Sequence, residues 1–139
     1  MILTFRSELL FGYNAEHEWA CVIEIDSFST LEDLHLVIQD AVGFDNDHLY
    51  EFYMARTERS RDRIRFDDEN QGIYEMTLET LYPLEKGKSL FYLFDYGDHW
   101  LFSLSKSRKK PHQPEKGIKY PRIIEKTGTD PEQYPELEE

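Results

Sequence analysis

The stretch STLEDLHLVIQDAVG, Ser29 to Gly43, constrains the fold most, because both ends of a helix are written into it. Ser29 followed by Glu32 has the spacing of a capping box. The hydroxyl accepts from an amide three residues on, and the carboxylate reaches back to the cap amide. Leu31, Leu34, Ile38, Ala41 and Val42 recur at helical spacing and make one apolar face. Gly43 can close the helix in the left-handed conformation. The spacing predicts a helix from Thr30 to Val42, with an apolar side that other elements must cover.

The flanking segments supply a sheet. Ile2 to Phe11 and Glu18 to Asp26 read as strands, and Trp19, Cys21, Ile23 and Ile25 alternate onto one face. GYNAEHE between them has the Gly and Asn of a turn, so a β-hairpin opens the chain. HLYEFYMAR, His48 to Arg56, is partly apolar on both faces, as an interior strand is. TERSRDRIRFDDENQGIY reads as a charged loop with a short strand at Arg63 to Phe66. MTLETLYPL gives a helical turn or two, stopped by Pro83. KSLFYLF and HWLFSLS are strands on either side of a sharp reversal. The expected class is α+β: an N-terminal hairpin and one main helix packed on a mostly antiparallel mixed sheet.

A length of 139 residues fits one domain. Residues 1–105 form the expected core and 106–139 a Pro-containing C-terminal extension, holding Pro111, Pro114, Pro121, Pro131 and Pro135. That extension lacks strong periodicity. It reads as a surface wrap with few apolar anchors beyond about Pro131 and an acidic end that frays.

Charge bounds the function. Asp and Glu number 28 against 16 Lys and Arg, a formal net charge of −12. Such a surface repels phosphate backbones, so non-specific nucleic-acid binding is disfavoured by bulk charge. The one cysteine, Cys21, cannot form an internal disulfide and reads as a small buried hydrophobe. The N-terminal apolar runs are broken by Arg6, Glu8 and Glu16, so no signal peptide or membrane segment is expected, and the expected location is cytoplasmic.

LFDYGDHW, Leu93 to Trp100, is the most chemically pointed segment. Read structurally, Gly97 takes a positive φ, Asp95 and Asp98 tie off a hairpin by accepting backbone amides, and Trp100 anchors the core. Read functionally, Asp95, Asp98 and His99 form a polar cluster at a sheet edge. The chain holds His17, His35, His48, His99 and His112. A ligand set of His35, His48, Asp95 and Asp98 is conceivable, but its spacing matches no compact metal motif, and no metal is assigned. No GxSxG or phosphate-binding loop occurs, so no cofactor is expected.

Three segments, TLEDLHLVIQDAVGFDNDHLYEF, LFYLFDYGDHW and KYPRIIEKTGTDPE, come in the order and spacing of the plasmid pRiA ORF-three-like family. Leu34-His35, Gly43, His48-Leu49, Phe52, Tyr92, Asp95, Gly97, Asp98 and Trp100 fall on its pattern. Phe44 stands where the family has Trp, and Tyr96 where it has Phe. The C-terminal motif keeps only Gly128, Pro131 and Glu132 and lacks the family's cysteine and paired glycines. The resemblance implies an α/β roll carried on plasmids, chromosomes and transposons, and it implies no activity.

Two functions follow as expectations. The first is a small, soluble, non-catalytic binding module in plasmid or mobile-element contexts, with a protein or small ligand as partner. The alternative is a metal-dependent hydrolytic enzyme built on the His/Asp cluster. Convergence of His35, His48, Asp95 and Asp98 in one cleft separates them.

Overall fold

The computed structural model describes residues 1–12 and 18–134. His17 and the turn expected around it lie outside them, as does the acidic end after Tyr134. Strands β1 (Ile2–Phe11) and β2 (Ala20–Asp26) are followed by helix α1 (Leu31–Val42) and strands β3 (Tyr50–Ala55) and β4 (Ile64–Phe66). Short helices α2 (Gly72–Glu75) and α3 (Leu78–Leu81) precede β5 (Ser89–Phe94), β6 (Trp100–Lys106) and β7 (Arg122–Thr127). The strands form one sheet of seven in the order β4-β3-β5-β6-β1-β2-β7. Each of its pairings is antiparallel, where a mixed sheet was expected. Hairpin connections suffice for β1–β2, β3–β4 and β5–β6, and such links favour antiparallel neighbours.

One face of the sheet shares its core with the helices. Phe5, Trp19, Ile23, Phe52, Tyr92, Trp100 and Phe102 from strands cluster with Leu31, Leu34 and Ile38 of α1 and Leu78 of α3. The α1 cap sits one residue later than the spacing predicts. Thr30 Oγ1 accepts from the Asp33 amide, and the Asp33 carboxylate accepts from the Thr30 amide at 2.9 Å. The segment STLED satisfies the same motif in two frames, and Ser29 is engaged elsewhere: its amide donates to Asp26 and its carbonyl accepts from Leu78. Gly43 ends α1 at φ 77°, its amide donating to Gln39.

The other face carries a smaller apolar cluster of Tyr53, Ala55, Phe91, Leu93 and Leu101. The β3–β4 loop folds over it. The Arg63 guanidinium lies 4.0 Å from the Tyr53 ring centre, and the Tyr53 hydroxyl donates to the Glu58 carbonyl.

The C-terminal stretch does more than wrap. β7 pairs with β2, Ile23 opposite Ile123, and becomes the sheet's last strand. Buried Glu24 accepts from Arg122 Nε at 2.6 Å and faces His112 Nε2 at 3.3 Å. Burial alone would raise the Glu24 pKa, but Arg122 and His112 hold it below the usual carboxylate value. Beyond β7, Trp19 Nε1 donates to Asp130 at 2.7 Å. Gly128, at φ 84°, passes so close to Glu18 that a Cβ would lie 1.8 Å from its carbonyl oxygen. Past Pro131, where few apolar anchors are expected, a polar one is present: Gln133 is buried and bonds both the Asp45 amide and the Asp47 carboxylate. Among the described residues, no helix is long and apolar enough to cross a membrane.

Candidate functional site

The start of β3 and the β5–β6 turn meet at one end of the sheet, because the Asp95 amide donates to the Leu49 carbonyl at 3.0 Å. That bond brings His48 beside Asp95, with Nε2 3.4 Å from Oδ2. Asp95 is itself the turn-maker. It takes φ 62°, and its Oδ1 accepts from the amides of Gly97 at 3.0 Å and Asp98 at 3.3 Å. The left-handed residues of the turn are Asp95 and His99, and not Gly97. Asx residues tolerate that region because the short side chain bonds the local backbone. Asp98 donates its amide to Asp95, but its carboxylate accepts no bond among the described residues. The two acids of the segment therefore differ in role.

His35 lies beneath this surface and is fully buried. Its Nδ1 is 2.5 Å from the Tyr92 hydroxyl, and its Nε2 is 2.6 Å from Asn46 Oδ1. Gln39 Nε2 donates to the same hydroxyl at 3.0 Å, and Gln39 Oε1 accepts from the Asn46 amide. One protonation pattern satisfies every atom: Gln39 donates to Tyr92, Tyr92 to Nδ1, and the Nε2 proton goes to Asn46. Burial pushes the His35 pKa down to about 4, opposed by the Asn46 bond, so the ring is neutral. Phe94 packs beside both histidines, its ring centre 6.1 Å from His35 and 6.0 Å from His48.

The expected set therefore divides. His48 and Asp95 meet at the surface, and His35 belongs to a closed, buried network with Tyr92, Gln39 and Asn46. His99 is exposed, its ring edge-on to Phe11 at 5.5 Å. It lines a cleft of about 270 Å³ with Leu10, Phe11, Glu58, Arg59 and Leu101. Among the described residues, no group of three or more His, Cys, Asp or Glu side chains is placed to hold a metal ion. Burial raises the Cys21 pKa to about 12, which keeps it a thiol with no nucleophilic character.

The sequence reading missed the residues that complete the surface. The Tyr134 hydroxyl donates to Asp47 Oδ2 at 2.6 Å and lies 2.6 Å from His48 Nε2. That bond lowers the Asp47 pKa, and the same carboxylate pushes the Tyr134 pKa up to about 12. Asn46 and Asp47 stand in plain view in GFDNDHL, but their partners come from α1 and from the far end of the chain.

The family whose model is described as Plasmid pRiA4b ORF-3-like protein matches residues 12–134, a span that takes in every element from β2 to β7. The chain belongs to this family. The shared motif residues now have physical roles: the Leu-His of α1 supplies the neutral core histidine, and Asp95 and Trp100 supply the turn and its anchor. Uncharacterized protein y4hQ of Sinorhizobium fredii (strain NBRC 101917 / NGR234) is 33% identical over 101 residues, covering 73% of this chain and 50% of the relative. The chain thus spans half the length of that family relative. A crystal structure of a protein of unknown function, MM3350 from Methanosarcina mazei Go1, superposes with a TM-score of 0.71 at 21% identity. It covers 90% of this chain and 68% of its own, and at that identity it shows the fold alone.

Proposed function

We propose that the chain is a non-catalytic binding module: one α/β-roll domain, with α1 closing one face of the sheet, that acts in plasmid or mobile-element contexts inside the cytoplasm. The observation that carries this reading is the engagement of the candidate catalytic groups. Both ring nitrogens of buried His35 are hydrogen-bonded, and Asp95 is held by two turn amides. A general base needs a proton-accepting atom within reach of a substrate, and a metal needs several converging ligands. Only His48 and Asp95 of the expected set lie together, and His48 is also in contact with Tyr134.

Thermal shift with magnesium, manganese, zinc and nickel ions separates this from the metal-dependent hydrolase. The wild type, His48→Ala and Asp95→Asn are expected to respond alike to each ion. Stabilisation of the wild type by one ion, lost in both variants, would establish the metal reading instead.

A further inference from the structure

Net charge hides local runs of cations in the chain. Between Arg56 and Arg65 there are five arginines against two acids, and between Lys106 and Lys110 four cations and no acid. The antiparallel ladder brings the first cation of each segment, Arg56 and Lys106, to the same end of the sheet, while Arg59 lies by His99 at the other. Ala55 pairs with Ser89, and Leu90 with Leu104. Carried one residue past the first pair and two past the second, the register aligns Arg56 of the β3 end, Lys88 before β5 and Lys106 of β6 as a row. Neighbouring strands lie about 4.8 Å apart, so the row spans about 10 Å. The run Arg108 to Lys110 follows Lys106 and extends it on the β1 side, where the Ser107 amide donates to Thr4. None of these cations forms an ion pair among the described residues.

Asp45, Asp47, Asp95 and Asp98 stand at the opposite end, while Glu79 lines a cavity with Lys106 at this one. A strand of the length of β3 separates the two ends by about 17–20 Å. The Debye length is about 8 Å at physiological salt, so a ligand at the basic end is largely screened from the acidic one. The bulk charge of −12 therefore does not decide what this end binds.

We propose that this row is a binding surface for the phosphodiester backbone of nucleic acid. It rests on the reading of the chain as a binding module and gives that module its partner. A line of unpaired cations across three strands suits a linear polyanion, and guanidinium groups suit phosphate oxygens. Two of the carboxylates that a second copy would offer are already engaged: Asp47 by Tyr134 and Gln133, and Asp95 by the turn amides. That weakens self-association as an alternative.

Fluorescence anisotropy with a short labelled DNA duplex tests the proposal. Binding is expected, and its affinity should fall log-linearly between about 50 and 200 mM salt. The triple variant Arg56→Gln, Lys88→Gln, Lys106→Gln should bind about tenfold or more weakly, with a salt slope reduced by about 2–3. Arg6→Gln with Lys126→Gln, which removes cations elsewhere, should match the wild type. The variants' melting curves check that they fold. Absence of salt-dependent binding by the wild type overturns the proposal, as does equal loss in the control. Equal affinity for polyglutamate assigns the surface to an acidic protein, and salt-sensitive self-association without DNA binding assigns it to a second copy; both overturn it. Cleavage of the bound duplex would leave the surface standing and sink the non-catalytic reading.

Discussion

The imidazole of His35 lies flat on the phenol ring of Tyr50, with ring centres 3.5 Å apart and planes 3° from parallel. Stacking covers the ring face while the Tyr92 and Asn46 bonds use both nitrogens, so protonation would break the Tyr92 bond and place a charge among aromatics.

This gives a pH dependence with a definite sign. The folded pKa, about 4, lies below the ordinary 6.5, so the unfolded chain binds the extra proton as pH falls. The stability His35 contributes is fully present above pH 6.5 and is lost as pH drops toward 4. The loss between about pH 7 and pH 5 is about 2 kcal/mol. A urea midpoint series against pH measures it, and NMR should show the His35 ring still neutral at pH 5. A ring titrating near its ordinary value would contradict the network.

Asp95 and Asp98 are expected to behave differently on substitution. Asp95→Asn keeps the acceptor and tolerates φ 62°, and should fold almost normally. Asp95→Ala should cost about 1–2 kcal/mol, since two turn amides lose their acceptor. Asp98→Ala should stay within about 0.5 kcal/mol of wild type. Urea midpoints of the three variants decide it, and equal costs at both alanine positions would refute the assignment of the turn to Asp95.

Trp100 is fully buried, and Phe44 meets it edge-on at a ring separation of 4.8 Å. A Cβ on Gly12 would fall 2.1 Å from the indole, so the strand end packs directly on it. Trp100→Ala should destabilise by about 3–5 kcal/mol through lost transfer energy and a cavity. Gly12→Ala should also destabilise, by steric conflict. Calorimetric melting of both variants is the check, and an unchanged melting temperature in either contradicts this packing.

Much of this architecture is legible in the residues. Local signals specify α1, because capping, periodicity and a terminal glycine all lie within a short window. The strands of the sheet's interior are legible because period-2 alternation of large apolar residues has no other use. β7 is not, since RIIEKT buries little and is held by pairing and by Glu24, far away in sequence. The geometry of the candidate set is hidden for a similar reason. Spacing puts His35 and His48 on successive elements but cannot show that His35 is buried with both ring nitrogens bonded.

Gln133 and Tyr134 give a stability prediction of their own. Gln133→Ala removes a buried side chain with two bonds and should cost about 1–2 kcal/mol. Tyr134→Phe removes the hydroxyl shared by Asp47 and His48 at an exposed site, and should cost less than the Gln133 change. Chemical denaturation of the two variants ranks them, and a reversed order would place the tail's main anchor on Tyr134.

The pairing of β7 with β2 decides what the sheet offers to other chains. An open strand edge is a row of unpaired amides and carbonyls, and a second chain can template on it. As built, one edge is β4, only three residues long, and the other is β7, exposed and charged at Glu125 and Lys126. Neither invites a neighbour. Strip β7 away and the edge becomes ACVIEID, a β-branched strand with a buried apolar face. The C-terminal stretch is thus a guard against aggregation: chains cut before Arg122 would be expected to stick to one another before they lost their core.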